Sequence, residues 1–99
     1  MFELVTLLGA EIEIQTAYIH LSESNFQRAE KFDANLQAAF HQLKTFPHSG
    51  PVYSGRIHRL VLSPGPYALF YAFDKTRVYI HAFLDTRQQP EMIARRLGI

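Results

Sequence analysis

Arg56, His58 and Arg59 on one short segment, His81 on another and Arg87 just beyond it are the residues of this chain whose types could do chemistry. Metal-free cleavage of RNA needs a base for the 2′-hydroxyl, cations for the charge developing on phosphate, and an acid for the leaving oxygen. Histidine and arginine suit those roles. In an extended strand, however, Arg56 and His58 fall on one face and Arg59 on the other, so the three do not simply converge. A rim of surface arginines at a sheet edge accounts for the same residues.

Other chemistries find less to work with. The five histidines, His20, His41, His48, His58 and His81, are scattered, and no two stand four apart on one helix to share an ion. Cysteine is absent, which excludes disulfides and thiolate metal sites and is compatible with a reducing cytosol. Gly9, Gly50, Gly55, Gly65 and Gly98 stand apart and form no phosphate loop. Ser49 beside His48 and Ser54 near His58 lack an evident orienting carboxylate. Neither a metal nor a cofactor is expected.

The elements that must position these residues follow from hydrophobic period. Phe2 to Leu7 reads as a strand. From Ala10 to about Leu21, Ile14, Ala17, Tyr18 and Leu21 recur at helical spacing. Ser24 and Gln27 have the form of a capping box, which predicts a second helix whose stripe runs Phe26, Ala29, Phe32, Leu36, Ala39, Phe40 and Leu43. The short connection predicts an antiparallel hairpin, and Pro47 ends it through its effect on Phe46. The period then changes to two. Arg56 to Leu62, Tyr67 to Phe73 and Arg77 to Leu84 read as strands, joined by a Ser63-Pro64-Gly65-Pro66 turn and a tight Asp74-Lys75-Thr76 connection. In the last strand Val78, Ile80, Ala82 and Leu84 should line one face and Tyr79, His81 and Phe83 the other, as in a central strand covered on both sides. Pro90 opens a short helix with Met92, Ile93 and Leu97. The expectation is one α+β domain over residues 1–99: an N-terminal strand and an antiparallel helical hairpin on a small, mainly antiparallel sheet, with a short C-terminal helix.

At 99 residues, 47% hydrophobic and 19% charged, the chain is globular with room for a single modest core. The N-terminus has no basic run, and Glu11 and Glu13 interrupt any apolar stretch, so neither a signal peptide nor a membrane span is expected. The net charge of +1 hides an asymmetry of −3 over residues 1–50 and +4 over residues 51–99. Such a basic half suits nucleic acid or an acidic protein segment, or is an ordinary solvated face.

Taken in order, the first strand with Val5-Thr6, the two helices, Phe46-Pro47-His48-Ser49-Gly50, Arg59-Leu60, Tyr67 to Tyr71 and Leu84-Asp85-Thr86-Arg87 resemble the RelE/ParE toxins of type II toxin–antitoxin systems. The resemblance implies a cytoplasmic bacterial toxin held inactive by a cognate antitoxin that wraps it with a segment ordering on binding. RelE-like members cleave mRNA in the ribosome. For that activity Arg59 and Arg87 match basic positions, but Val61 and Ala68 stand where further cations are expected, Ile93 stands near the terminal tyrosine, and no Tyr or His follows His81. The chain is more similar to the ParE-like branch, which inhibits DNA gyrase and serves plasmid stabilisation. The target-binding residues expected on that reading are Arg87, Met92, Arg95 and Arg96. The alternatives are a RelE-like endonuclease reaching nucleic acid through the ribosome, with Arg59 and Arg87 catalytic, and an inactive homologue that only binds antitoxin.

Overall fold

The chain folds as an α+β unit, described by a computed structural model over residues 1–62 and 65–99. In order, the elements are β1 (Glu3–Thr6), α1 (Leu8–Ser24), α2 (Phe26–Thr45), a 3-10 turn (Pro47–Ser49), β2 (Val52–Ser54), β3 (Ile57–Val61), β4 (Tyr67–Phe73), β5 (Arg77–Asp85) and α3 (Pro90–Leu97). The sheet runs β1-β5-β4-β3-β2, with β1 parallel to β5 and the other pairs antiparallel. β2 carries no apolar run long enough to announce it in the sequence. The Ser63-Pro64 half of the expected turn lies outside the described residues.

The two helices form the expected hairpin around a single residue. Asn25 is extended, ends α1, and caps α2 by accepting the Arg28 N–H on its side chain at 3.2 Å. The capping-box expectation at Ser24 is therefore off by one. Ser24 stays in the last turn of α1, where its hydroxyl donates to the Leu21 carbonyl at 3.1 Å. Alanines mark the helix positions that meet the core: Ala10 and Ala17 on α1, Ala29 and Ala39 on α2 are all buried. α2 adds the larger Leu36 and Leu43, whereas α1, which buries only Ala10 and Ala17, packs directly on β5. None of the helices among the described residues is long and apolar enough to cross a membrane.

The sheet separates two cores. Against the hairpin lie Leu69, Tyr71, Val78, Ile80 and Phe83 with Leu36 and Leu43. On the opposite face Ala68, Phe70, Ala82 and Leu84 pack under Ile93 of α3. The division corrects the alternation expected along β5. Tyr71 pairs with Ile80, but its neighbour Phe70 pairs with Ala82, so His81 is an extra residue in a β-bulge. Beyond it the faces exchange: Phe83 joins Val78 and Ile80 beneath the hairpin, and Ala82 and Leu84 turn to α3. A strict period of two cannot reveal a bulge, because every residue of this strand is compatible with either face.

Candidate binding surface

β5 runs into a tight turn that places the basic C-terminal residues. The Thr86 hydroxyl donates to the Pro66 carbonyl at 2.6 Å and fixes the chain as it leaves the sheet. Arg87 folds back on Asp85, with Nη2–Oδ2 at 2.7 Å and Nε–Oδ1 at 3.1 Å. That guanidinium holds the Asp85 carboxyl below the usual carboxylate range. The Arg87 side chain nonetheless stays 77% exposed. α3 then starts at Pro90, whose fixed φ suits the first helical turn, and stops at Gly98 in a left-handed conformation, φ 75°. It buries Ile93 and half-buries Leu97 while Met92, Arg95 and Arg96 face outward. Both arginines lie in its last turn, where a cation complements the helix dipole.

The two neighbouring arginines do different things. Arg96 forms a two-pronged pair with Glu13 of α1, Nε–Oε2 at 2.8 Å and Nη2–Oε1 at 2.9 Å. The same Nη2 donates to the His81 carbonyl at 3.0 Å, and Glu13 Oε1 also accepts the Phe83 N–H at 3.2 Å. Glu13 and Arg96 thus supply the hydrogen bonds that the bulge withdraws from the sheet ladder, and in doing so tie α1, β5 and α3 together. Gly9 leaves room for this, since a β-carbon there would stand 2.6 Å from Arg96 Nη2. Arg95, by contrast, forms no ion pair among the described residues. Glu13 escaped sequence reasoning. The one signal is that Glu13, like Glu11, interrupts the apolar pattern of α1, which by itself speaks only against a membrane span.

Between α1 and α3 lies an open groove of about 540 Å³. Phe83 and Leu84 lie at its base, Ile12, Thr16 and His20 line it from α1, and Met92 and Arg95 line it from α3. Ile12 and Met92 are 57% and 51% exposed. A second cleft of about 490 Å³, between the two long helices, has the opposite sign: it is lined by Glu11 and Asp33 around Ile14, Leu36 and Phe40.

The residues considered for RNA cleavage are distributed. Arg59 lies on β3 with its guanidinium 5.3 Å from the centre of the Tyr53 ring, whereas Arg87 lies past the end of β5, with β4 between the two strands. His58 faces the hairpin instead, stacked on Tyr71, with Nδ1 2.8 Å from the Gly50 carbonyl. His81 is in the bulge, where burial first and the nearby Arg96 second push its pKa down. Arg56, His20, His41 and His48 are exposed, with His48 edge-on to Phe73 at 4.8 Å. No three His, Asp or Glu side chains come together among the described residues. Of the expected target-binding residues, Arg87, Met92, Arg95 and Arg96 all occupy the C-terminal turn and α3, but Arg96 is engaged internally.

Comparisons add a family. A family model described as "ParE toxin of type II toxin-antitoxin system, parDE" matches residues 9–90. Among solved structures, a chain titled "Chromosomal ParDE TA system from P. aeruginosa" superposes with a TM-score of 0.75. It is 15% identical, and the match covers 88% of this chain and 98% of the other, so the likeness is one of fold. No curated protein sequence matches.

Proposed function

The chain belongs to the ParE toxin family of type II toxin–antitoxin systems, and we propose that it is a toxin that inhibits DNA gyrase by binding, without turnover of its own. On this reading residues 1–99 act as one toxin domain in the bacterial cytoplasm, neutralised by a cognate antitoxin. The observation that carries it is the arrangement of the C-terminal cations. Arg87, Met92 and Arg95 sit exposed on the C-terminal turn and α3, beside a groove of mixed lining with Phe83 and Leu84 in it, a surface suited to gripping a macromolecule. Arg96 contributes by holding α3 in place. An mRNA endonuclease built on Arg59 and Arg87 would need an acid and a base beside them. The nearest sequence candidates are elsewhere: His58 is committed to Gly50 and His81 to the bulge.

The test is a gyrase supercoiling and cleavage assay with purified protein, with and without ATP. Loss of supercoiling with accumulation of broken DNA is the expected result. No effect at micromolar protein would move the test to translating ribosomes, with Arg59 and Arg87 as the residues to substitute. Silence in both assays would leave a homologue that only binds antitoxin.

A further inference from the structure

We infer that two copies of this chain associate about a twofold axis through the outer side of α1 and the α3 wall beside it, with Arg95 of each copy against Glu23 of the other. The inference goes beyond the toxin reading and does not depend on it.

The outer side of α1 is the first observation. A surface helix ordinarily carries one apolar stripe, turned to the core. α1 carries two. Ala10 and Ala17 are buried, whereas Leu8, Ile12 and Ile19 are 71%, 57% and 50% exposed. Leu8 and Ala17 stand nine positions apart, which at about 100° per residue is half a turn round the helix. Met92 of α3 adds a further exposed apolar side chain across the groove from Ile12. A continuous apolar face of this kind is stabilised by being covered.

Shape and charge both point to a second copy as the cover. The outer stripe of α1 is a ridge, and the space between α1 and α3 is a groove, so one chain supplies both halves of the contact. A twofold axis seats the ridge of each copy in the groove of the other, with Ile19 near the axis and Met92 over the opposite stripe. The charges are divided in the same way. α1 holds Glu11, Glu13 and Glu23 with no Lys or Arg, and α3 holds Arg95 and Arg96. Within one copy Arg96 is engaged by Glu13, while Glu23 and Arg95 form no ion pair among the described residues. Glu23 stands seven positions past Thr16, on the edge of α1 that Thr16 and His20 bring to the groove. Antiparallel α1 helices carry that end of each copy to the other's α3. There Arg95 meets both a carboxylate and the negative end of a helix whose last turn has no cation of its own. At 17 residues α1 is about 25 Å long, so the interface is small and the expected Kd is on the order of 10 μM.

Sedimentation equilibrium of the purified chain from about 1 to 300 μM, a range bracketing that Kd, tests the inference. A reversible monomer–dimer equilibrium is expected. Arg95→Glu and Glu23→Arg should each weaken it by about tenfold, and the double variant, which exchanges the two charges, should restore it. All three should melt like the parent by circular dichroism, because both side chains are exposed. The absence of cysteine allows a second readout. Ile19→Cys should oxidise to a disulfide-linked dimer, and Leu8→Cys, far from the axis, should not. A monomer at every concentration would overturn the inference. So would growth into larger oligomers, a double variant weaker than either single one, or cross-linking at Leu8 in place of Ile19. None of these measurements contains gyrase, so failure of the dimer and failure of the toxin reading are told apart.

Discussion

The Tyr71 hydroxyl accepts the Gly50 N–H at 3.0 Å while donating to the Pro47 carbonyl at 2.7 Å. One buried side chain from β4 thereby satisfies both ends of the loop that follows α2. Burial favours its neutral form and pushes its pKa up. Replacing Tyr71 with Phe leaves the Gly50 donor and the Pro47 acceptor without this partner, at a cost of about 1–3 kcal/mol. In a domain of this size that lowers Tm by several degrees, on the order of 4–8 °C per kcal/mol, readable in a thermal melt followed by circular dichroism. Gly50→Ala should be at least as damaging. Its backbone, φ −89°, is open to any residue, but the added carbon would lie 2.7 Å from both the Arg59 carbonyl and the Tyr71 hydroxyl. Tyr71→Phe should not rescue Gly50→Ala, because the Arg59 clash is with backbone.

Glu13 has a local role as well as a pairing one. Glu13→Ala removes the acceptor for the Phe83 N–H and frees Arg96 from α1. Because both side chains are partly exposed, the global cost should be small, about 1 kcal/mol. The effect on α3 should be larger in proportion, since Ile93 and Leu97 are the α3 side chains packed in the core beneath it among the described residues. Amide hydrogen exchange should show faster opening across residues 90–97 and at Phe83, with β4 and the α1–α2 hairpin unchanged. Uniform acceleration throughout the chain would contradict a local clasp. Arg96→Lys should loosen residues 90–97 in the same way but spare Phe83, whose N–H keeps Glu13 as its acceptor, because an ammonium cannot reproduce the planar fork.

His81 predicts a direction for acid sensitivity. Its folded pKa is lowered by burial and by Arg96, so the unfolded chain binds its proton more tightly than the native state does. His81's contribution to stability is therefore fully present above the ordinary histidine pKa, about 6.5, and is lost as pH falls from there through its lowered folded value. His81→Asn should flatten the urea midpoint between about pH 7 and pH 5, the window on either side of that value. An unchanged pH slope in the variant would assign the acid sensitivity to other groups.

How far the sequence could go is visible in β5 and α3. The apolar character of Arg77–Asp85 on both sides correctly implied an interior strand, because period and burial are local properties of composition. The bulge at His81 depends on pairing with β4, and its stabilisation by Glu13 depends on a contact across seventy residues. Neither leaves a local trace. Likewise α3 was legible from Pro90 and its apolar residues, whereas the division of labour between Arg95 and Arg96 was not. Adjacent arginines point about 100° apart on a helix, and only the position of α1 decides which one finds a carboxylate. β2 was missed for a related reason: a three-residue edge strand is defined by its partner β3 more than by its own residues.

That same division gives the sharpest functional prediction. If gyrase is gripped by the C-terminal surface, Arg95→Glu should raise the concentration needed to block supercoiling by about tenfold or more, since it reverses an exposed charge at the contact. The variant should fold normally, because Arg95 is exposed and forms no ion pair among the described residues. Arg59→Gln should leave inhibition unchanged while modestly lowering stability, as its guanidinium lies over Tyr53 on β2, at the other edge of the sheet, with β4 and β3 between it and β5. Arg87→Gln should fall between the two, because Asp85 already shares that charge. Supercoiling titrations of the three variants, each normalised to folded protein by circular dichroism, separate the readings. Loss of activity in Arg59→Gln with Arg95→Glu intact would move the target to the β3 face and return the ribosome to first place.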